Sequence, residues 1–134
     1  MTQSLETPTE DKVESAIRQV ALDYIEGWYD GDSERMEHSL HPHLAKRIVI
    51  PNGKKWGSGD RLDEMSALSL VQATRHESVP MSGRRTDVRV LDCFEDAACV
   101  RVDAKDWIDY MHLAKWNGHW KIVNVLWVLR PGTN

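Results

Sequence analysis

Three side chains with complementary chemistry lie near one another in the C-terminal third of the chain. Tyr110 and His112 alternate along the segment WIDYMHLAKW, and Arg101 precedes them in AACVRVDA. An imidazole that titrates near neutrality, set beside a phenol and a guanidinium, can give or take a proton on a bound carbonyl or hydroxyl. The same residue types also serve as amphipathic packing at a pocket rim, with their polar tips hydrogen-bonded. Which role they play depends on the strands that carry them.

Those strands are set by turns. Asn117-Gly118 is a strong signal for a two-residue type I′ turn, which needs positive φ at both central residues. An uninterrupted hairpin about it puts Trp116 opposite His119, Met111 opposite Asn124, Tyr110 opposite Val125 and Ile108 opposite Trp127. Side chains alternate between faces. One face then carries Ile108, Tyr110, His112, Val123, Val125 and Trp127. The other carries Asp109, Met111, Leu113, Trp120, Ile122, Asn124 and Leu126. A second two-residue turn at Lys105-Asp106 places Arg101 opposite Tyr110 and Cys99 opposite His112, with Val100 and Val102 on the Met111 face. Both faces hold apolar residues, so both need cover.

Other groups weigh less. His38, His41 and His43 cluster, but no carboxylate or cysteine at ligand spacing completes a metal set, and no metal or cofactor is expected. Asp32 and Glu34 read as a turn and helix cap. Trp28, Trp107, Trp116 and Trp127, four of six tryptophans, could stack on a flat heterocycle or simply fill the core. Cys93 and Cys99 flank a turn and read as reduced thiols.

The whole chain has 134 residues and a net charge of -4. That length suits one domain with its own core. No basic run suggests a nucleic-acid surface, and no apolar run is long enough for a membrane span. The polar, acidic N-terminal stretch does not read as a signal or transit peptide, so a cytoplasmic protein is expected. Residues 1–11 read as a disordered tail and 12–131 as the single domain. Val13, Ile17, Val20, Ala21, Tyr24 and Trp28 give a helical face, ended at Asp30-Gly31-Asp32. A short helix follows over Glu34 to Leu40, stopped by Pro42. Lys46 to Pro51 reads as a strand, turned at Asn52-Gly53 toward a weak strand at Lys54 to Gly57. Leu62, Met65, Leu68 and Val71 suggest a helix over Arg61 to Arg75, and residues 76–85 a loop. Strands over Thr86 to Phe94 and Ala97 to Ala104 then lead into the hairpin. This is an α+β order with a curved, mostly antiparallel sheet.

The segments YIEGWYDGDSERMEHSLHPHLAKR and DYMHLAKWNGHWKIVNVLW resemble the family described as "putative lumazine-binding", across roughly residues 13–130. That family lies in the nuclear-transport-factor-2-like superfamily, with ketosteroid isomerase, scytalone dehydratase and the polyketide cyclases. The resemblance implies a cone: a bent sheet wrapped around the first helix, a pocket at the wide end, and a homodimer through the convex sheet face. On this basis the Met111, Ile122 and Leu126 face is the expected dimer surface. Strand parity in ketosteroid isomerase places Val125 and Trp127 in the pocket, with Tyr110 and His112 on the same face. Tyr24, Trp28, Tyr110, His112, Val125 and Trp127 are therefore the expected ligand contacts. His112, Tyr110 and Arg101 are the expected acid–base set if there is catalysis. Ketosteroid isomerase carries its base just before a proline, where this chain has Ile50 in IVIP, so steroid isomerisation by that route is not expected. Three readings stand: a binding domain for a small, partly aromatic molecule; a cofactor-independent dehydratase, isomerase or cyclase; and a dimeric interaction module without ligand.

Overall fold

The structure is a computed structural model and describes residues 10–51 and 59–132. The first helix, α1, spans Glu10–Asp30, with Glu10 and Asp11 placing acid at its positive end. Of the stretch expected as a tail, residues 1–9 lie outside the described residues. Ile17, Ala21, Tyr24, Ile25 and Tyr29 form the buried face of α1.

How α1 stops explains the GWYDGD sequence. Gly31 adopts φ 68°. Its N–H donates to the Trp28 carbonyl at 3.2 Å, and the Asp32 N–H donates to the Gly27 carbonyl at 2.9 Å. This pair of bonds closes the helix as a Schellman motif. Asp32 then caps the next helix, α2 (Ser33–Ser39), by accepting from the Arg35 N–H. One glycine and one aspartate thus end one helix and start another, as expected for the GD step.

Among the described residues, six strands form one sheet: β1 (Leu40–Ile50), β2 (Arg61–Ser66), β3 (Asp87–Phe94), β4 (Ala97–Asp103), β5 (Trp107–Trp116) and β6 (His119–Leu129). Their spatial order is β2-β1-β6-β5-β4-β3. All neighbours are antiparallel except β1 and β6. Register breaks in β1/β6, β3/β4 and β5/β6 bend the sheet, as bulges do. The curved inner face holds Val100, Val102, Met111, Leu113, Ile122 and Val125 against α1. The third helix, α3 (Ala67–Thr74), adds Leu70 and Val71 to the same core. The architecture is the expected α+β cone.

Three expectations are corrected. Pro42 does not stop a helix; it lies within β1, which starts at Leu40. The helix expected over Arg61 to Arg75 is a strand followed by a shorter helix. Arg61–Ser66 pairs with Ala45–Ile50 along its full length, and Ser66 caps α3 by accepting from the Ser69 N–H at 3.2 Å. Leu62, Met65 and Leu68 are exposed, so their helical spacing marks no buried stripe. The third correction concerns the expected dimer surface: Val100, Val102, Met111, Leu113 and Ile122 are core residues, and only Leu126 of that set is exposed. The turn at Asn52-Gly53 and the strand at residues 54–57 lie outside the described residues.

Elsewhere on the sheet, Asp103 is hydrogen-bonded by two guanidiniums, with that of Arg89 3.8 Å away. Arg101 donates to both its carboxylate oxygens at 3.0 and 2.9 Å, and Arg130 donates to Oδ1 at 2.9 Å. The Arg101 hydrogen bonds, and then those from Arg130, outweigh burial and hold the carboxyl down at about 2, against an ordinary 3.8. A depressed folded-state value stabilises the fold above the unfolded value and stops doing so as the pH falls through the folded one. We therefore expect about 2 kcal/mol of stability from this group above pH ~4, lost between pH ~4 and ~2. Urea unfolding across that range should show the loss in the wild type, and Asp103→Asn should remove this component of the slope. An unchanged slope in the variant would assign acid sensitivity elsewhere.

Candidate functional site

The site is built from the inner face of the sheet where β1, β2 and β6 meet α1 and α3. Lys46 pairs across the sheet with Met65 on one side and Val125 on the other. Cross-strand partners share a face, so the lysine points inward with them. Ile48, two residues on, does the same. Trp127 lies two residues beyond Val125 on β6, Trp107 begins β5, and Trp28 comes from the last turns of α1. Together with Asp63, Glu64, Met65 and Leu70 these residues line a cavity of about 540 Å³.

Lys46 occupies an aromatic frame. Its Nζ lies 5.2 Å from the Tyr24 ring centroid, 5.7 Å from that of Trp28 and 5.2 Å from that of Trp127. Ring quadrupoles attract an ammonium at such distances. Burial lowers the lysine's pKa, and the charge of Asp109 partly restores it. Asp109 pairs across the sheet with Trp127 and is fully buried. Its Oδ2 accepts from the Trp107 indole N–H at 2.9 Å, while its Oδ1 has no hydrogen-bond partner among the described residues. Burial raises the Asp109 pKa, opposed by the charge of Lys46 and by the indole hydrogen bond. The buried Tyr24 hydroxyl also lacks a partner among the described residues, and burial, then the charge of Asp109, push its pKa well above the ordinary value. A lysine, a carboxyl and a phenol thus share one poorly solvated region beside an apolar cavity.

The expected site residues divide. Trp28 and Trp127 line the cavity, and Tyr24 contributes a ring to the Lys46 frame. Val125 is buried in the core on the same side of the sheet. Tyr110, His112 and Arg101 are not brought to the cavity; their expected pocket placement is corrected. The hairpin follows the expected register from Trp116 and His119 as far as Leu113 opposite Ile122, and then slips. His112 pairs with Asn124 and Met111 with Val125, leaving Val123 as an extra residue. A bulge shifts every later position by one. Val125 and Trp127 stay inside with Met111 and Asp109, while Tyr110 and His112 face outward with Leu126. His112 is exposed, with its Nδ1 3.2 Å from Asn124 Nδ2. Tyr110 is 41% exposed and lies under the Arg101 guanidinium at 5.7 Å, which itself is bonded to Asp103. The β4/β5 pairing of Arg101 with Tyr110 and Cys99 with His112 is as expected. Trp116 stands at the hairpin tip against His41, 4.5 Å between ring centroids, away from the cavity.

Lys46 and Asp109 escape sequence reading. Lys46 sits in KRIVIP beside Arg47, and nothing local says which of the two turns inward. Only the pairing of Lys46 with Met65 and Val125 decides it.

No curated protein matches the chain. Solved structures of this fold do. A nuclear-transport-factor-2-like protein of unknown function from Shewanella baltica is 20% identical with a TM-score of 0.73, covering 94% of this chain and 100% of that one. The association domain of CaMKII from C. elegans is 16% identical with a TM-score of 0.61, covering 88% and 96%. A protein of the same fold family from Streptomyces avermitilis, described as a "putative dehydratase", is 13% identical with a TM-score of 0.57, covering 91% and 99%. At these identities the likeness is one of fold. A family model described as "Putative lumazine-binding" matches residues 12–128. The chain therefore belongs to that family and is built on the nuclear-transport-factor-2-like fold.

Proposed function

We propose that the protein binds a small, planar, partly aromatic molecule in the cavity between α1, β1 and β6, a heterocycle of the lumazine kind being the first to try. The observation that carries this reading is the lining: three indole rings on an apolar cavity of about 540 Å³, with one lysine among the lining residues whose Nζ lies beside two of those rings. Ligand sites are commonly concave, largely apolar and few in polar groups, at volumes of roughly 300–1,000 Å³. Trp28 and Trp127, with Tyr24 behind Lys46, are the proposed contacts. Lumazine is fluorescent, so its titration can be followed directly. Wild type should bind saturably. Trp127→Leu, which keeps an apolar side chain but loses the ring, should weaken binding about tenfold, and His112→Asn should leave it unchanged. Loss of binding in His112→Asn with none in Trp127→Leu would move the site to the other face of the sheet.

Within the same reading, two copies pair through the outer face of the sheet. Leu126, Val128 and Tyr110 are exposed there, a grouping of apolar side chains that favours association. Sedimentation at micromolar concentration should give twice the chain mass, and Leu126→Asp should reduce it to one; a wild-type monomer would remove the dimer from the proposal. A cytoplasmic location also belongs to this reading, supported by the free thiols Cys93 and Cys99.

A further inference from the structure

We infer that the molecule bound in this cavity is an aromatic anion, whose charged oxygen (a carboxylate, or an ionised enol or lactam) seats on Lys46 Nζ. This rests on the binding reading above and specifies the ligand's charge.

Three aromatic rings around a cation usually mark a cage that receives a cationic ligand. Here the cage is already occupied by the chain's own ammonium, with the Tyr24, Trp28 and Trp127 centroids 5.2–5.7 Å away. A second cation would meet that charge in apolar surroundings, where repulsion is poorly screened. The rings hold the lysine in place but leave its donors unused. An ammonium has three N–H groups, and among the described residues none of them has a hydrogen-bond or ion-pair partner within reach.

The nearby carboxylates do not supply one. Of the lining acids, Asp63 is paired with Arg61 at 2.6 Å, and Glu64 with Arg47 at 3.1 Å. Asp109 influences Lys46 through space, yet it forms no ion pair with it, and one of its oxygens is taken by the Trp107 indole. It is fully buried and does not form part of the cavity wall. The cavity therefore presents one positive group with free donors, flanked by acids that are either neutralised or covered. A flat anion satisfies both features at once: its ring stacks among the tryptophans, and its oxygen accepts from Nζ. Hydrogen bonds to a charged group contribute roughly 1.5–3 kcal/mol, which corresponds to about ten- to hundredfold in affinity.

Three probes of one shape separate the cases: 2-naphthoate, 2-naphthalenemethanol and 2-naphthylmethylammonium, measured by calorimetry on the full chain. Wild type should bind naphthoate about tenfold or more tighter than the alcohol, and the ammonium weakest of all. Lys46→Met should erase the naphthoate preference while the alcohol stays within about threefold of its wild-type affinity. Lys46→Arg should retain a preference for the anion. Equal wild-type affinity for alcohol and naphthoate, tighter binding of the ammonium, or a preference that survives in Lys46→Met would overturn the inference and leave the binding reading intact. Failure of all three probes to bind wild type would overturn both.

Discussion

Gly31→Ala should destabilise the protein by about 3 kcal/mol. Gly31 holds φ 68° at the end of α1, a left-handed conformation that costs an L-residue roughly 1–2 kcal/mol. A Cβ there would also lie 2.3 Å from the Glu77 carbonyl oxygen. That neighbour is backbone just beyond α3, where the Glu77 N–H is itself bonded to Thr74. It cannot swing aside as a side chain would, and relieving such overpacking costs a further ~1–3 kcal/mol. The melting temperature should fall by roughly 10 °C. Gly118→Ala is the control. Gly118 has φ 81°, but a Cβ added there would meet nothing within 4 Å, so only the conformational cost of about 1 kcal/mol applies. Equal losses in the two variants would show that the approach of α1 to the Glu77 carbonyl is not close.

Ile122→Ala should cost about 3 kcal/mol, and Leu126→Ala less than about 1 kcal/mol. In an unbroken strand these two residues, four apart, share a face and should respond alike. Here Ile122 is fully buried and Leu126 is 50% exposed, because the bulge at Val123 lies between them. Removing a fully buried aliphatic side chain costs roughly 2–5 kcal/mol by lost transfer energy and the cavity left behind. Removing a half-exposed one costs little. Urea unfolding of both variants, at protein concentrations where the chain is monomeric, tests the bulge without any ligand. Similar losses would mean that the strand runs through without the extra residue, and the assignment of Tyr110 and His112 to the outer face would fail with it.

That bulge marks the boundary of what the sequence reveals. Turns are encoded locally, and the Asn117-Gly118 turn is found as expected, with φ 52° and 81°. Its register holds to Leu113 opposite Ile122. Val123 carries no local mark of being unpaired; a β-branched residue suits a regular strand equally well. The slip arises where the sheet bends around α1, a demand of the whole fold. That single extra residue turns His112 and Tyr110 to the outer side while leaving Val125 and Trp127 where the sequence places them. The strand β2 is hidden for a related reason. Leu62, Met65 and Leu68 have helical spacing, but the open edge of β1 supplies a partner for Arg61–Ser66, and pairing prevails over a marginal local preference. By contrast, α1, α2 and their shared cap are legible because glycine and aspartate at Gly31 and Asp32 act through neighbouring backbone. Of the four tryptophans that could either stack on a heterocycle or fill the core, Trp28, Trp107 and Trp127 line the cavity; Trp116 does not, since its position at the turn takes it to the hairpin tip.

The proposed function requires that ligand bind on the inner face, among Trp28, Trp107 and Trp127, rather than beside His112. Indole N–H resonances report each tryptophan separately. A nitrogen–proton correlation spectrum of the assigned protein, recorded during titration with lumazine or 2-naphthoate, therefore distinguishes the two faces in one experiment. Large, saturable shifts are expected for the Trp28, Trp107 and Trp127 indoles, with the Trp116 indole and the His112 ring unmoved. Shifts confined to Trp116 and His112, with the three cavity indoles unchanged, would contradict binding on the inner face.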